Sequence, residues 1–542
     1  MAVTLTTTAS KEQHRLVSIG NDILYYEDID VAAGDMVKLA ASDGDIDTSD
    51  QLSVASAYGK VFVANGTSLK VADFQNSKIA TADVGANPPD RGNILTGGTS
   101  GAKMIVDYIT ALTGACVLYG YRTTTATFTT GETVTGTDDD GNAISFAMTA
   151  AAEVAAPHWY DWTVYGNDED LYGKMPDQAY LVGVSGGRLI LSGDRNYPHQ
   201  APTSGSGNPW DWNLYRTTSD RPTVIGTGNA GAIGDVVRAI IPIRDGQLAF
   251  GCATSMHVMI DNPGMGGRLV AVDTTIGIFD GTSWCFDGDG NMWFWGSGGL
   301  HMMDRGALTI STMNKESLPN LVGDVAADPS THRITMGYDP VRIGIKICIT
   351  LLSSGSSRVY WYDLRTQGFF YDTDASTDHG VYSQFYYAAN DPDLCGLICG
   401  CKDGYLRVED SSVANDDGVA IDSYVDYGPM ALAKDGRDGS LSSIDVVLSG
   451  GASGGSEDNS DDAYMYVWAE DGAGELYEKL ILGTGYKLSI TFSGPGRKHG
   501  GKRRRGVRGA YAGVRIGNST ISETWGFEKM ILEQGAPGRR LR

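Results

Sequence analysis

The chain has 542 residues, which at roughly 100–200 residues per domain corresponds to about three or four domains. Glycine supplies 72 residues without a Gly-X-Y period, proline only 17, and 42% of residues are hydrophobic, which excludes collagen and wholesale disorder. Lys and Arg number 42 against 66 Asp and Glu, a formal net charge of -24, so the body as a whole repels nucleic acid instead of gripping it.

In chain order, the N-terminal stretch Met1 to Arg15 has no charged segment followed by an apolar run, so no secretory signal is expected. Nothing further on is a continuous apolar run of about 18 residues, so no transmembrane helix is expected either. The 7 Cys are odd in number and scattered, which argues against a disulfide framework and for a reducing compartment. One unit recurs along the chain: a turn ending in Gly, an apolar strand, a second Gly-containing turn and a second strand. It starts at Tyr58, Ser185, Asp245, Asp287 and Leu394, with divergent copies at Ser357 and Leu16. With one insertion removed, a repeat of roughly 40–65 residues without intervening helices predicts an all-β protein with a β-propeller body, a β-sandwich array being the competing arrangement.

The expected divisions are first propeller blades over 1–87, an inserted small β module over 88–156, the remaining blades over 157–415, and a C-terminal β-sandwich-like domain over 416–542. The inserted module is expected on a loop between blades, as a satellite of the body. Its halves carry Gly97-Gly98-Thr99-Ser100-Gly101-Ala102 and Gly131-Glu132-Thr133-Val134-Thr135-Gly136 beside alternating strand residues. This pattern resembles small β modules inserted in bacteriophage structural proteins.

Charge divides the chain unevenly. From Arg497 to Arg542 there are 12 basic and 3 acidic residues, or +9, which leaves -33 on the preceding 496 residues. The basic segment 497–508, with Arg497, Lys498, Lys502, Arg503, Arg504, Arg505 and Arg508, is a candidate contact for an acidic partner, for phosphates or for a neighbouring subunit, or simply a solvated loop.

Catalytic and cofactor signals fail on their spacing. Asp287, Asp289 and Asn291 open like a calcium loop, but Met292 and Gly298 occupy positions six and twelve, where Gly and a carboxylate are needed. Asp43, Asp45 and Asp47 fail in the same way, with Thr48 at the sixth position. Gly226 to Gly231 matches G-x-G-x-x-G, but strand-forming residues follow it where a helix is required. Cys395, Cys399 and Cys401 share strand parity but lack a fourth zinc ligand. No catalytic residue, cofactor or metal is therefore assigned. A propeller glycosidase could still gather carboxylates from different blades, with Asp194, Asp245, Asp287 and Asp403 as candidates. The aromatic stretch from His158 to Tyr165, with Trp210 and Trp212, could stack on sugars or anchor domain interfaces.

The stretch Phe286 to Asp304, with its D-x-D-G-N-x-W turn and Gly298-Gly299-Leu300, resembles the repeat of regulator-type propellers. The order Arg188-Leu189 strand, Asn208-Pro209-Trp210-Asp211-Trp212, then Asp245, Leu248 and Phe250 resembles the body of bacteriophage tail nozzle (tail tubular) proteins. The strand-like stretches at Tyr424, Ile444 and Tyr464, and the end from Arg515 on, extend that resemblance. It implies a virion structural protein synthesised in the host cytoplasm, a ring of six copies around the genome-ejection channel, and contacts with a portal-side adaptor and other tail proteins. Viral DNA would pass through without sequence specificity. A receptor- or glycan-binding tail protein and a propeller glycan hydrolase are the alternatives.

Overall fold

A computed structural model describes residues 1–6, 12–28, 34–228, 231–315, 318, 320–410, 413–433, 438–449, 463–492, 496–499 and 507–535. The chain divides into two compact units, residues 1–373 with 377–409, and residues 374–376 with 410–542.

The larger unit is a β-propeller. Among the described residues it holds seven small antiparallel sheets in succession, six of four strands and a last one of three. Blade 1 runs from Ala2–Thr6 to Met36–Lys38, and blade 2 combines Ser53–Ala57, Lys60–Asn65 and Ser68–Asp73 with His158–Asp161. Blades 3 to 6 begin at Leu181–Ser185, Val237–Arg244, Trp284–Phe286 and His332–Asp339, and blade 7 spans Val381–Tyr387 to Leu406–Val408. The second strand of a blade is covered on both faces by neighbouring blades, so it reads as a continuous apolar run instead of alternating. Lys60–Asn65 and Met292–Gly296 are buried at every position for this reason. Tight hairpins join the strands: Gly186 and Gly187 both take positive φ, 56° and 68°, the geometry of a type I′ turn.

Each blade-to-blade junction is an apolar cluster. Blade 1 meets blade 2 through Val17 and Val61, and blade 2 meets blade 3 through Phe62 and Leu191. The next junctions pack Ile190 with Phe250, Met256 with Phe294, Trp293 with Ile347, and Val359 with Cys399. Leu16 with Tyr387 and Ile398 then closes the ring. Among the described residues no strand is exchanged at this closure. Instead the buried Glu27 carboxylate accepts from Leu16 N at 3.2 Å, Gly34 N at 3.0 Å and the Tyr387 hydroxyl, while Asn390 Nδ2 donates to His14 O at 2.6 Å.

The inserted module differs from expectation in its start, its place and its attachment. Its six-stranded sheet begins with Ser77–Thr81, upstream of position 88, because that strand follows directly on Ser68–Asp73 and its sequence marks no change of sheet. The insertion lies inside blade 2, between its third and fourth strands, not between blades. Bridges Thr81–Met148 and Lys78–Val154 bring the chain that follows the last strand, Ala143–Ala147, back onto Ser77–Thr81 at the opposite end of the sheet. The module is not a satellite: Leu95, Tyr108, Leu118 and Phe146 share one core with Phe62, Trp162 and Trp210 of the propeller. Its two sequence signatures meet at Glu132, whose carboxylate accepts from Thr99 N, Ser100 N and Thr129 N at 3.0, 2.9 and 2.6 Å.

The smaller unit is a β-sandwich. One sheet orders Ser423–Ala431, Tyr511–Asn518, Ala463–Glu470 and Leu488–Phe492. The other is centred on Gly439–Ser449, which pairs with Gly526–Gln534 on one side. Val446 and Leu448 face Val467, Val514 and Ile516 across the core. The helix Ala473–Leu482 packs Leu476 and Leu480 on Trp468 and ends at Gly483. No described helix is long and apolar enough to cross a membrane.

Candidate functional site

The described ends of the basic segment, 496–499 and 507–508, lie along one edge of the sandwich. Arg497 and Lys498 lie in the strand Gly496–His499, opposite Val447 and Val446, and Arg508 lies opposite Ser440 in Arg508–Gly509. Both short strands pair with Gly439–Ser449 in the same direction, so they are successive parts of one edge line. Arg508 is exposed, as charges on sheet edges commonly are. The side chains of Arg497 and Lys498, and all of Lys502, Arg503, Arg504 and Arg505, lie outside the described residues.

The four blade-turn carboxylates do not form one site. Asp245 and Asp287 sit in the turn after a first strand, whereas Asp194 and Asp403 follow a second strand. In an up-and-down blade these turns open at opposite ends of the strands. Asp287 accepts from Asp289 N, Asn291 N and Trp293 Nε1 at 2.9, 2.8 and 2.9 Å, which accounts for the D-x-D-G-N-x-W spacing as a turn clamp. Asp403 pairs with both Arg407 amino groups at 3.0 and 2.8 Å, and Asp194 accepts from Gln178 Nε2 and Asn196 N, both at 2.8 Å. Asp45 takes Lys70 at 2.6 Å and Trp159 Nε1 at 2.8 Å, while Asp47 holds the backbone N of Ser49 at 2.9 Å. Among the described residues no group of three His, Cys, Asp or Glu is placed to hold a metal ion.

Of the aromatic residues, His158, Trp162, Tyr165, Trp210 and Trp212 are buried, whereas Trp159 and Tyr160 are half-buried. Trp162, Trp210 and Trp212 are 3%, 0% and 2% exposed, so none of them presents a face to a sugar. Both Trp162 Nε1 and Trp212 Nε1 donate to Pro209 O at 3.1 Å, which fixes the Asn208–Trp212 loop against blade 2. The buried Arg188 guanidinium donates to Ser204 O, Arg221 O and Ser219 O at 2.9, 2.6 and 3.2 Å, tying the loops of blade 3 together. In the motif starting at Gly226, Thr227–Gly228 pairs antiparallel with Gly231–Ala232, and the next described element is the strand Val237–Arg244, not a helix. Cys399 and Cys401 pack with Cys348 and Val381, whereas Cys395 precedes the strand Gly396–Cys401 and is exposed.

Two polar groupings had no sequence signature. Ser255 Oγ lies 3.0 Å from Asp235 Oδ2 and 3.2 Å from His257 Nε2. Here the hydroxyl sits between carboxylate and imidazole, so no carboxylate orients a base toward a nucleophile and the trio braces the blade 4 turn. A shallow groove lined by Lys70, Asp161, Asn167, Glu169 and Lys174 has its cations engaged, Lys70 by Asp161 at 2.6 Å and Lys174 by Asp177 at 2.7 Å.

Burial also sets the acid response. His158, His257 and His301 are all pushed below the ordinary imidazole range by desolvation, His301 to about 4. His301 is 1% exposed, stacked on Phe294 at 5.2 Å, and hydrogen-bonded at Nδ1 by Thr312. A base held neutral in the fold contributes stability above its unfolded pKa of about 6.5 and loses it as pH falls toward the folded value. From pH 7 to pH 4 we expect His301 to cost about 3 kcal/mol, read as a falling urea midpoint. His301→Gln should flatten that slope by about this amount; an unchanged slope would assign it to other groups.

No protein-family model matches the chain, and no curated protein matches it. Among solved structures it is similar to the extracellular domain of the two-component-system protein BT3049 from B. thetaiotaomicron, at 11% identity and a TM-score of 0.33. That match covers 83% of this chain and 47% of the other, so the chain spans about half the length of BT3049's domain. TolB from Acinetobacter baumannii matches at 11% identity and a TM-score of 0.24, over 56% of this chain and 73% of its own. The β-propeller domain of the Trilobed protease from Pyrococcus furiosus matches at 10% identity and a TM-score of 0.23, over 66% and 97%. A peptidase and a glycoside hydrolase are among the other matches, at 9% and 11% identity. At such identities and scores the likeness concerns architecture alone.

Proposed function

We propose that the chain is a structural component of a bacteriophage tail, a nozzle-like ring that lines part of the genome-ejection path and joins neighbouring tail proteins. The observation that carries this reading is the division of charge, -33 over the first 496 residues against +9 over the rest, with the described ends of the basic segment on a sheet edge. A ring of identical copies needs two different, complementary surfaces on one chain, and opposite charge supplies such a pair. The resemblance to tail nozzle proteins rests on scaffold residues, Arg188, Trp210, Trp212 and Phe250, which hold loops and cores together. On this reading the chain carries no catalytic site. An acidic channel wall would let DNA slide by repelling phosphate, with screening over about 8–10 Å at physiological salt.

Light scattering with negative-stain imaging, at low and high salt, alone and with the other tail components, tests this. The expected result is a six-membered ring, alone or with those components. Replacing Arg503, Arg504 and Arg505 by Ser should weaken assembly and steepen its loss with salt. A monomer that ignores the tail components and binds host glycan would overturn the reading.

A further inference from the structure

The face formed by Leu171, Leu214 and Tyr215 is apolar and uncovered, with exposures of 50%, 45% and 94%. It is built from two loops that the fold holds rigidly. Asn213 Nδ2 donates to Leu171 O at 2.9 Å, Tyr215 N donates to Asn213 Oδ1 at 3.0 Å, and Gly173 is bridged to Trp212. A Cβ on Gly173 would meet Trp212 O at 2.4 Å, so the loops touch at a point where no side chain fits. An aromatic held on a braced loop gives up little conformational freedom when a partner covers it.

The surroundings of this face are acidic. Glu169 and Asp170 flank Leu171 and are exposed. On the other side Tyr165, in ring contact with Tyr172, donates its hydroxyl to Pro89 O at 2.7 Å, which places Asp90 alongside. Asp139 N in turn donates to Asp90 Oδ2 at 3.3 Å, bringing up the exposed Asp139 and Asp140. Burial, together with the like charges of Asp138, Asp139 and Asp140, pushes the Asp90 carboxyl above the usual carboxylate range. The nearby cations are engaged: Arg216 pairs with Asp211 at 2.6 Å and Arg91 with Asp107 at 3.0 Å.

We propose that this face receives the basic segment 497–508 of a second copy of the chain. The proposal rests on the ring reading and names the surface at which its copies meet. The segment suits the face chemically, with Lys498, Lys502, Arg503, Arg504 and Arg505 for the carboxylates and Gly500, Gly501 and Gly506 for a close fit. An arginine can also lie over the Tyr215 ring while its neighbours pair with Asp139 and Asp140.

The test is binding of a labelled peptide of residues 496–509 to the full-length chain carrying Arg503→Ser, Arg504→Ser and Arg505→Ser, so that its own segment does not compete. Fluorescence anisotropy should show salt-sensitive binding. Leu214→Ser with Tyr215→Ser should weaken it about tenfold, and Asp139→Asn with Asp140→Asn about five- to tenfold. Asp43→Asn with Asp245→Asn, two exposed carboxylates elsewhere on the propeller, should leave it within about twofold. No binding, or equal weakening by both sets of acid variants, would overturn the proposal even if rings form. Binding with the expected pattern but without rings would keep the docking face and overturn the ring.

Discussion

Trp210→Ala should be among the most destabilising single substitutions in the propeller, at about 3–5 kcal/mol. Trp210 is fully buried, stacked on Tyr108 of the module at 4.3 Å and tilted against Phe62 of blade 2 at 6.1 Å. Truncation opens a cavity at the point where module and propeller share a core, and neither side can collapse into it without breaking strand pairing. Trp210→Phe should cost much less. The indole nitrogen is buried without a hydrogen-bond partner among the described residues, so the phenyl ring removes an unpaired donor while keeping most of the aromatic contact. Denaturation monitored by near-ultraviolet dichroism should show the Ala variant shifting the propeller transition. The transition of the 410–542 unit should stay in place, because its core is a separate cluster. A cost below about 1 kcal/mol would mean that the module does not fold as part of the propeller.

What the sequence made legible follows from how blades are buried. Strands covered on both faces, such as Val61–Ala64 and Trp293–Trp295, announce themselves as apolar runs between Gly turns, and Asp287 with Trp293 marks its turn by spacing alone. Blade number was not legible, because the copies of the unit, those at Leu16 and Ser357 above all, are too diverged in sequence to be counted. Nor was ring closure: Glu27 and Tyr387 are 360 positions apart and no sequence pattern pairs them. The insertion point was misplaced because Ser77–Thr81 continues the pattern of blade 2 and switches sheets without a turn signal of its own. The basic segment was legible from charge. The face of Leu171, Leu214 and Tyr215 was not, since the Gly173–Trp212 bridge and the Asn213–Leu171 hydrogen bond that bring its two loops together carry no sequence signature.

The same junction holds the other large expected effect. Lys60 is 2% exposed and faces two carboxylates, Asp107 at 2.8 Å and Asp73 at 3.6 Å, the latter fully buried. Asn76 Nδ2 donates to both carboxylates, at 2.9 Å to Asp73 and 3.0 Å to Asp107, and the Tyr160 hydroxyl donates to Asp73 at 2.9 Å. Lys60 and Asp73 belong to blade 2 and Asp107 to the module, so the cluster fixes how the module sits on its blade. Lys60→Ala leaves the carboxylates without their shared cation, and removing one partner of a buried pair costs about 3–5 kcal/mol. The pH dependence separates this from loss of packing. In the native protein Lys60 and Arg91 hold the Asp107 carboxyl well below the usual range, so that contribution is complete above about pH 4 and is lost only in stronger acid. Without Lys60, crowding of Asp73 and Asp107 favours protonation of one of them in the fold over the unfolded chain, so falling pH stabilises the variant relative to the native protein. The deficit measured by urea denaturation should therefore narrow between pH 8 and about pH 5. A deficit constant across that range would show that Lys60 contributes through its buried alkyl chain and not through its charge.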